Sequence, residues 1–356
     1  MPAWVLHLDM DQFIAAVEIL RRPELAEKPL IVGGRGDPTE RAVVSTASYE
    51  ARAFGAHSGM PLRLAARKCP DAIILPVDHA AYDEASRAAF AAVRTVPDVV
   101  LEPLGWDEGF IGASNEDPEA LARRIQATVL EATGLHCTIG IGDNKIRAKN
   151  ATGFGKPRGV FRLTRENWLA VMGERPVREL WGVGSRISAR LDKHGYRTVA
   201  ELARADLEVL TGEFGPKMGL WYAALGRGEG SAVVDDTPWV ARSHSRETTY
   251  QTNLVTPEEI RAAVAALVEQ VIEDCAAEGR PIFRVGLKVR YAPFFTVNRS
   301  KKLAAPTHET APVLDAVLTL VAALDTGREV RLLGVRGEMV MPPDDTRERA
   351  PTRARV

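Results

Sequence analysis

The sequence lacks the features that would tie a chain to a membrane, a secretory route or a disulfide scaffold. Its three cysteines, Cys69, Cys137 and Cys275, stand far apart, without the paired spacing of a metal site. They read as buried structural thiols in a reducing cytoplasm. No apolar run approaches the roughly 20 residues of a membrane-spanning helix. Asp9 and Asp11 interrupt the only apolar segment near the N-terminus, which excludes a signal peptide. Net charge is missing too: 46 Lys and Arg face 47 Asp and Glu, leaving a formal −1. A nucleic-acid partner must therefore be argued from local charge. No internal repeat stands out. What is present is an ordinary soluble composition, 46% hydrophobic and 26% charged, in 356 residues. That length suffices for two to four domains whose cores need no disulfide or structural metal.

The first half alternates strand-like and helix-like stretches. "WVLHLDM" reads as a strand and "DQFIAAVEILRR" as a helix with Asp11 as its N-cap. "PLIVGG" reads as a strand ended by glycines, and "AVVSTAS" as another that turns into the helix "YEARAFG". Helical patterns follow near residues 79 to 95 and 117 to 133, and between them "VVLEPLGWDEGFIGA" reads as two strands joined through "GWDE". "HCTIGIG" is a further strand and "NKIRAKNATGF" a helix. Residues 165 to 237 turn all-helical, "SAVVDDTPWVARS" is a polar linker, and 242 to 341 form a second α/β unit with helices around 256 to 278 and 308 to 325. The last stretch, proline-rich and charged, reads as disordered.

Two acidic pairs draw attention. Asp9 ends the first strand, and a turn in "GWDEGF" brings Asp107 and Glu108 to a sheet edge. If the strands are neighbours, three carboxylates converge, and their repulsion calls for cations. Oxygen ligands of this kind suit magnesium or manganese. Two such ions about 4 Å apart would clamp the attacking and leaving oxygens of a phosphoryl transfer. A plainer reading stays open for each motif alone, with Asp9 and Asp11 both capping and "WDEG" a surface turn. Thr46, Tyr49 and Arg52 recur at steps of three at a helix start, equipment for a triphosphate, and Lys156 in "GKPRG" is a further polar arm.

The ordered set "HLDMDQF", "STASYEARAFG", "GWDEGF", "GIGDNKIRAK" and "GKPRG" resembles the Y-family, translesion DNA polymerases, most of all the bacterial DNA polymerase IV (DinB) branch, over residues 4 to 340. The resemblance implies a multidomain α/β right hand. Its ferredoxin-like palm would take residues 1–11 and 80–165, its small fingers 12–79, and its helical thumb with a helix-hairpin-helix 166–237. A linker (238–243), an α/β little finger (244–341) and a disordered tail (342–356) would follow. It implies low-fidelity, template-directed polymerisation without a proofreading exonuclease. Asp9, Asp107, Glu108 and the backbone carbonyl of Met10 would ligand two Mg2+, with Mn2+ able to substitute. Thr46, Tyr49, Arg52 and Lys156 would hold the incoming triphosphate, while Ser45 and Gly59 keep the roof over the nascent base pair open. Asp11 would not be a ligand.

The sequence departs from the family at the sugar gate. Phe13 matches the first of two aromatics, and Ile14 stands where the second, gating ring is usual. Losing that ring implies weak discrimination against ribonucleotides. Trp106 and Phe110, where aliphatic residues and tyrosine are common, read as packing changes.

For DNA, "LWGVGSRISARLDKHGYRTVAEL" resembles a helix-hairpin-helix whose Gly182 and Gly184 amides approach a phosphate, with a weaker second hairpin at "FGPKMG". Residues 280 to 302 hold seven basic residues and no acid: Arg280, Arg284, Lys288, Arg290, Arg299, Lys301 and Lys302. They read as a stripe that tracks phosphates, extended by Arg242 and Arg246. The implied partners are primer-template DNA, a deoxynucleotide and, past Ile14, a ribonucleotide. The tail has no clamp-binding peptide, so sliding-clamp binding is doubtful, and the chain is expected to be a cytoplasmic, nucleoid-associated monomer without membrane contact. A catalytically silent accessory protein would lack the carboxylates. A palm-fold nucleotidyl cyclase would have no use for the DNA-holding parts.

Overall fold

The computed structural model describes residues 4–114, 117–325 and 327–342. From 343 onward the expected tail lies outside the described residues. The described chain divides into two compact units: one holds residues 4–38 and Ala42–Thr237, the other Thr39–Arg41 and residues 238–342.

In the first unit, β1 (Trp4–Met10) leads into α1 (Phe13–Arg21). A small layer follows, made of β2 (Leu30–Val32), β3 (Thr46–Ala47), α2 (Tyr49–Ala53), α3 (Leu62–Lys68) and β4 (Ile73–Leu75). The chain then returns through α4 (His79–Arg94), β5 (Val99–Pro103), β6 (Glu108–Ala113), α5 (Pro118–Thr133), β7 (Cys137–Gly142), α6 (Lys145–Gly155) and β8 (Val160–Leu163). Five strands form one sheet in the order β5-β6-β1-β7-β8, with β1 antiparallel to both neighbours. Alternation along β1 divides the sheet's two faces. Leu6, Leu8 and Met10 enter the main core with the apolar sides of α4 and α5. Val5, His7 and Asp9 face the other way, where Val5 packs with Ala148 of α6.

α6 lies unusually close to that face because β7 offers it glycine. A Cβ on Gly140 would stand 2.1 Å from the Ala148 carbonyl, and one on Gly142 would stand 2.4 Å from the Ala148 nitrogen. The small layer is less regular than its sequence suggests. "AVVSTAS" contributes only Thr46–Ala47 to a strand, because Val44 pairs with the turn at residues 59 and 60 instead of β2. The parallel partner β4 was not anticipated.

Five short helices complete the unit: α7 (Trp168–Met172), α8 (Ser185–Asp192), α9 (Val199–Ala203), α10 (Leu207–Phe214) and α11 (Pro216–Gly226). Their core is built around buried Trp168, whose indole N–H donates to the Gly226 carbonyl at 2.8 Å. The element before "GVGS" is a single 3-10 turn, Val177–Glu179, rather than the expected helix. The hairpin judged weaker is flanked by two full helices, α10 and α11, turning at Gly215 with φ +82.

The second unit holds β9 (Ser243–Leu254), α12 (Pro257–Ala277), β10 (Ile282–Tyr291), β11 (Phe295–Thr307), α13 (Thr310–Ala322) and β12 (Val330–Met339). Its antiparallel sheet runs β11-β10-β12-β9. Both helices cover one face, over Val285, Leu287, Val289, Leu333 and Val335. Among the described residues no helix is long and apolar enough to cross a membrane, and all three cysteines are buried and unbonded.

The glycine contact gives a direct test. Gly140→Ala should force α6 off the sheet and cost about 2–3 kcal/mol, the scale of core overpacking. Chemical denaturation measures it, and a loss under ~0.5 kcal/mol would show that the contact is not tight.

Candidate active site

β1, the central strand, ends with Asp9 directly opposite Glu108 of β6 and Thr138 of β7. The Met10 N–H donates to the Asp107 carbonyl at 2.8 Å, which draws Asp107 beside them. The three acids expected to converge therefore do share one corner of the sheet. Two of them are occupied by ammonium groups: Lys156 pairs with Asp9, and Lys149 pairs with Glu108. Among the described residues, no group of three or more His, Cys, Asp or Glu side chains is arranged to hold a metal ion.

The electrostatics show how close the acids are. Burial first, then the charges of Asp9 and Glu108, push the Asp107 carboxyl up to about 6. Burial also acts to raise Glu108, but the His7 hydrogen bond and the Lys149 charge outweigh it and hold that carboxyl down at about 2. His7 is itself buried, with its basicity lowered by desolvation, and its Nδ1 lies 2.8 Å from the Thr152 hydroxyl. The donor set is all oxygen and mutually repulsive, so its chemistry fits hard divalent cations.

A cavity of about 220 Å³ opens beside this corner. Asp9, Met10, Asp107 and Lys156 line one side, and Ser45, Thr46, Ser58 and Arg52 another. Gln12, Phe13, Ile14 and Trp106 complete it. Thr46 lies on β3 rather than on the helix that follows, so the three arms spaced by three do not share one helix face. Ser48 caps α2, accepting from the Ala51 N–H at 3.3 Å. Arg52 donates through Nε to the Ala47 carbonyl at 2.9 Å, and its guanidinium lies over the Tyr49 ring at 5.2 Å. Tyr49 is not among the lining residues: its O–H donates to Asp11 at 3.0 Å.

Three expectations need correction. Asp11 is not the cap of α1; Gln12 holds that position, left-handed at φ 43, without a side-chain cap bond. Asp11 is instead buried and accepts three hydrogen bonds, from Tyr49, Thr138 and the Arg158 N–H. Gly59 is required by backbone, with φ +82 and open space at its Cβ position, while Ser58 is the residue that reaches the cavity. Trp106 also lines the cavity, its edge against His79 at 5.5 Å, and so does more than fill space.

The basic residues of the second unit do not form one stripe. Arg284, Lys288 and Arg290 share the open face, where the fold brings acids to them: Arg284 meets Glu338 at 3.2 Å and Lys288 meets Glu247 at 2.7 Å. Arg290 donates to the Thr296 hydroxyl at 2.9 Å. Arg299 and Lys301 pair with Leu287 and Val285, so they point to the helix-covered face, and Lys301 reaches Thr319 of α13. Arg246 is likewise turned to Asp274 of α12, at 2.6 Å. Arg242 is exposed just before β9. Gly182 has φ +91, and a Cβ there would stand 2.7 Å from Trp221, while Gly184 begins α8 with open space around it.

Sequence reasoning gave Lys149 and His7 no role. Lys149 stands on α6 and Lys156 follows that helix's last residue in extended backbone, so helical spacing in the sequence gave no signal that the two would meet neighbouring acids.

Comparison with known proteins agrees with this architecture. Residues 8–153 match the impB/mucB/samB family, 241–348 that family's C-terminal domain, and 178–228 the thumb domain of DNA polymerase-iota. DNA polymerase IV 2 of Mycobacterium tuberculosis is 45% identical over 342 residues, 95% of this chain and 98% of the relative. DNA polymerase IV of Methanoculleus marisnigri is 35% identical over 343 residues, 94% of each chain. A solved Y-family DNA polymerase chimera of Dbh and Dpo4, 24% identical, shares the fold with a TM-score of 0.84 over 95% of this chain and 100% of that one. The chain belongs to the Y-family, the impB/mucB/samB family, as a DNA-directed DNA polymerase of the DNA polymerase IV type. The fold is that of a right-hand polymerase, with residues 178–228 matching a thumb, and we propose that the five-stranded sheet is its palm, the small layer its fingers and the second unit its little finger.

The raised Asp107 carboxyl yields a stability test. Its charged form is the unfavourable one, so native stability is complete below the ordinary carboxylate range. It falls as pH rises and levels off above about 6. Asp107→Asn keeps the shape and removes the charge. With divalent ions chelated, its Tm should exceed that of the wild type by about 2 °C or more at pH 7.5. The gap should narrow steadily toward pH 4. Thermal melts across pH check this, and equal Tm values at pH 7.5 would refute it.

Proposed function

We propose that this chain carries out translesion DNA synthesis, adding nucleotides to a primer on damaged or gapped templates with low fidelity. The observation that carries the reading is the corner where Asp9, Asp107 and Glu108 meet beside a cavity lined by Thr46, Arg52 and Lys156. Asp9, Asp107, Glu108 and the Met10 carbonyl would hold two divalent cations, Mg2+ or Mn2+. Bound there, such ions supply charge stabilisation at the attacking and leaving oxygens of a phosphoryl transfer.

The chain's own residues do the rest. Thr46, Arg52 and Lys156 surround the place where the incoming triphosphate would lie, with Tyr49 behind Arg52. Lys156 is half free to move: it needs only to swing its flexible end from Asp9 to meet a phosphate. Lys149 and His7 hold Glu108 charged and oriented. The primer 3′-hydroxyl then attacks the α-phosphate in line and releases pyrophosphate. Phe13 and Ile14 form the sugar side, and the small side chains of Ser45 and Ser58 leave the roof low in bulk. On the DNA side, Gly182 and Gly184 of the thumb would approach a backbone phosphate. Arg284, Lys288 and Arg290 on the little finger's open face would track others, as would exposed Arg242, whose carbonyl accepts from the Met339 N–H at the end of β12. Arg246, Arg299 and Lys301 contribute less, being turned to the helices. A silent accessory role would need a missing carboxylate, and none is missing.

Ile14 packs partly against the main core and brings no ring to the cavity. We therefore expect ribonucleotides to be used within about a hundredfold of deoxynucleotides. Ile14→Phe should widen that ratio by about a hundredfold, a difference of a few kcal/mol. Single-nucleotide insertion with both sugars, with Asp107→Ala as an inactive control, measures it. Wild-type discrimination of about 10⁴ or more would discard the gate argument and leave the polymerase intact.

A further inference from the structure

Between the metal-side carboxylate Asp9 and the sugar wall Phe13–Ile14 lie three residues: Met10, whose side chain is in the main core, and Asp11 and Gln12, whose side chains both reach Tyr49. Asp11 is 4% exposed, and every group that meets its carboxylate is a donor. Its Oδ1 accepts from the Tyr49 O–H at 3.0 Å and from the Thr138 hydroxyl at 2.9 Å, and its Oδ2 accepts from the Arg158 N–H at 2.9 Å. The Arg158 N–H is shared with the Thr138 oxygen, also at 2.9 Å, which closes the network. Gln12 takes hold of the same fingers residue from the other end: its Oε1 accepts the Tyr49 backbone N–H at 2.7 Å. Tyr49 is thus held at both its amide and its phenol by two consecutive residues, Asp11 and Gln12.

Two non-glycine residues with left-handed backbone flank this network, Gln12 at φ 43 and Arg158 at φ 61. Such conformations persist where surrounding bonds hold them, and they gather at sites where geometry matters. The elements joined are the ones that carry the cavity's polar arms. α2 carries Arg52 and follows Thr46; the turn at Arg158 carries Lys156; and the end of β1 carries Asp9.

We infer that Asp11 and Gln12 are positioning residues, a palm-to-fingers clamp that sets the spacing of Thr46, Arg52 and Lys156 for an incoming nucleoside triphosphate. This rests on the polymerase reading of the same site. Asp11 does not line the cavity, and Gln12, which does, turns its amide oxygen to α2. Asp11 acts through Tyr49 and the Arg158 turn, and Gln12 acts through the first amide of α2. A carboxylate suits position 11 because it only accepts, whereas an amide would turn an NH2 group toward the Arg158 N–H or toward two hydroxyls. Tyr49 has one O–H proton, and Asp11 holds it, so the phenol's part in the free protein is to anchor α2 and support the Arg52 guanidinium.

The test uses the full chain on primer-template DNA, with Asp11→Asn, Thr138→Val and Gln12→Gly. KM and kcat for single-nucleotide insertion are measured, together with the equilibrium Kd for deoxynucleoside triphosphate in Mg2+, the Kd for DNA, and Tm. Asp11→Asn should raise KM and nucleotide Kd by about tenfold, the scale of a lost charge-assisted hydrogen bond. Its kcat should stay within about threefold and its DNA affinity should be unchanged. Gln12→Gly relieves the left-handed backbone, so its Tm should not fall, yet KM should rise by about threefold or more. The double variant Asp11→Asn/Thr138→Val should be no worse than Asp11→Asn alone, because both act in one network. Unchanged nucleotide Kd in Gln12→Gly and Thr138→Val overturns the clamp even if Asp11→Asn does not fold. Extension absent from the wild type, with nucleotide Kd still shifted in the variants, sinks the polymerase reading and leaves the clamp standing.

Discussion

The close seat of α6 on β7 is the contact on which the rest of the site depends. Gly140 and Gly142 give up their side chains on one face of the sheet, and the helix backbone takes that space. This brings Thr152 to His7, Lys149 to Glu108 and Lys156 to Asp9. A larger residue in β7 would lift all three contacts together, since Lys149 and Thr152 stand on α6 and Lys156 directly follows its last residue. The same face carries Asp9 because side chains alternate along β1, so burying Leu6, Leu8 and Met10 beneath α4 and α5 leaves the acid on the α6 side.

The second constraint is charge. Three carboxylates at one sheet corner cannot all be comfortable, and the strain falls unevenly. Glu108 has a histidine and a lysine of its own and stays charged; Asp107 has neither and carries the penalty. Asp9 shares its lysine with the cavity. The site therefore has one carboxylate fixed, one destabilised, and one held by a movable cation, a division that follows from which residues α6 presents. Lysine ammonium groups suit this duty because their flexible stems let them change partners at small cost.

Much of this was legible locally. The carboxylates, the "GWDE" turn, the alternation of strands and helices and the arms Thr46, Arg52 and Lys156 all follow from short stretches. What could not be read depended on pairing between distant stretches. Asp11 preceding a helix looked like a cap, and nothing nearby in sequence showed that Thr138 and Arg158 would need an acceptor there. The basic run in residues 280 to 302 looked continuous, but strand register sends Lys288 to one face of the sheet and Arg299 and Lys301 to the other. The run also looked free of acid, because Glu247 and Glu338 arrive from β9 and β12. In the thumb, glycine punctuation showed the turns but not which flanking segments were long enough to be helices.

Those little-finger pairs also explain how a chain of near-zero net charge can still suit a polyanion. Lys288–Glu247 and Arg284–Glu338 are partly exposed, and pairs of that kind contribute about 0–1 kcal/mol each. A phosphate offered to Lys288 or Arg284 competes with a neighbour that holds its cation only weakly, while the carboxylates keep the free sheet from self-repulsion. Contacts of this sort are traded one for another, so the face would hold DNA without reading its sequence. That suits an enzyme whose template is not the usual one, since its grip must not depend on which base lies in the cavity. Selectivity is then left to the few residues around the nucleotide, and among these Ile14 departs furthest from a flat aromatic wall. If the gate closes as loosely as proposed, a face that exchanges its phosphates readily and a wall without a ring would be parts of one tolerance, built from surface charge in one unit and a missing ring in the other.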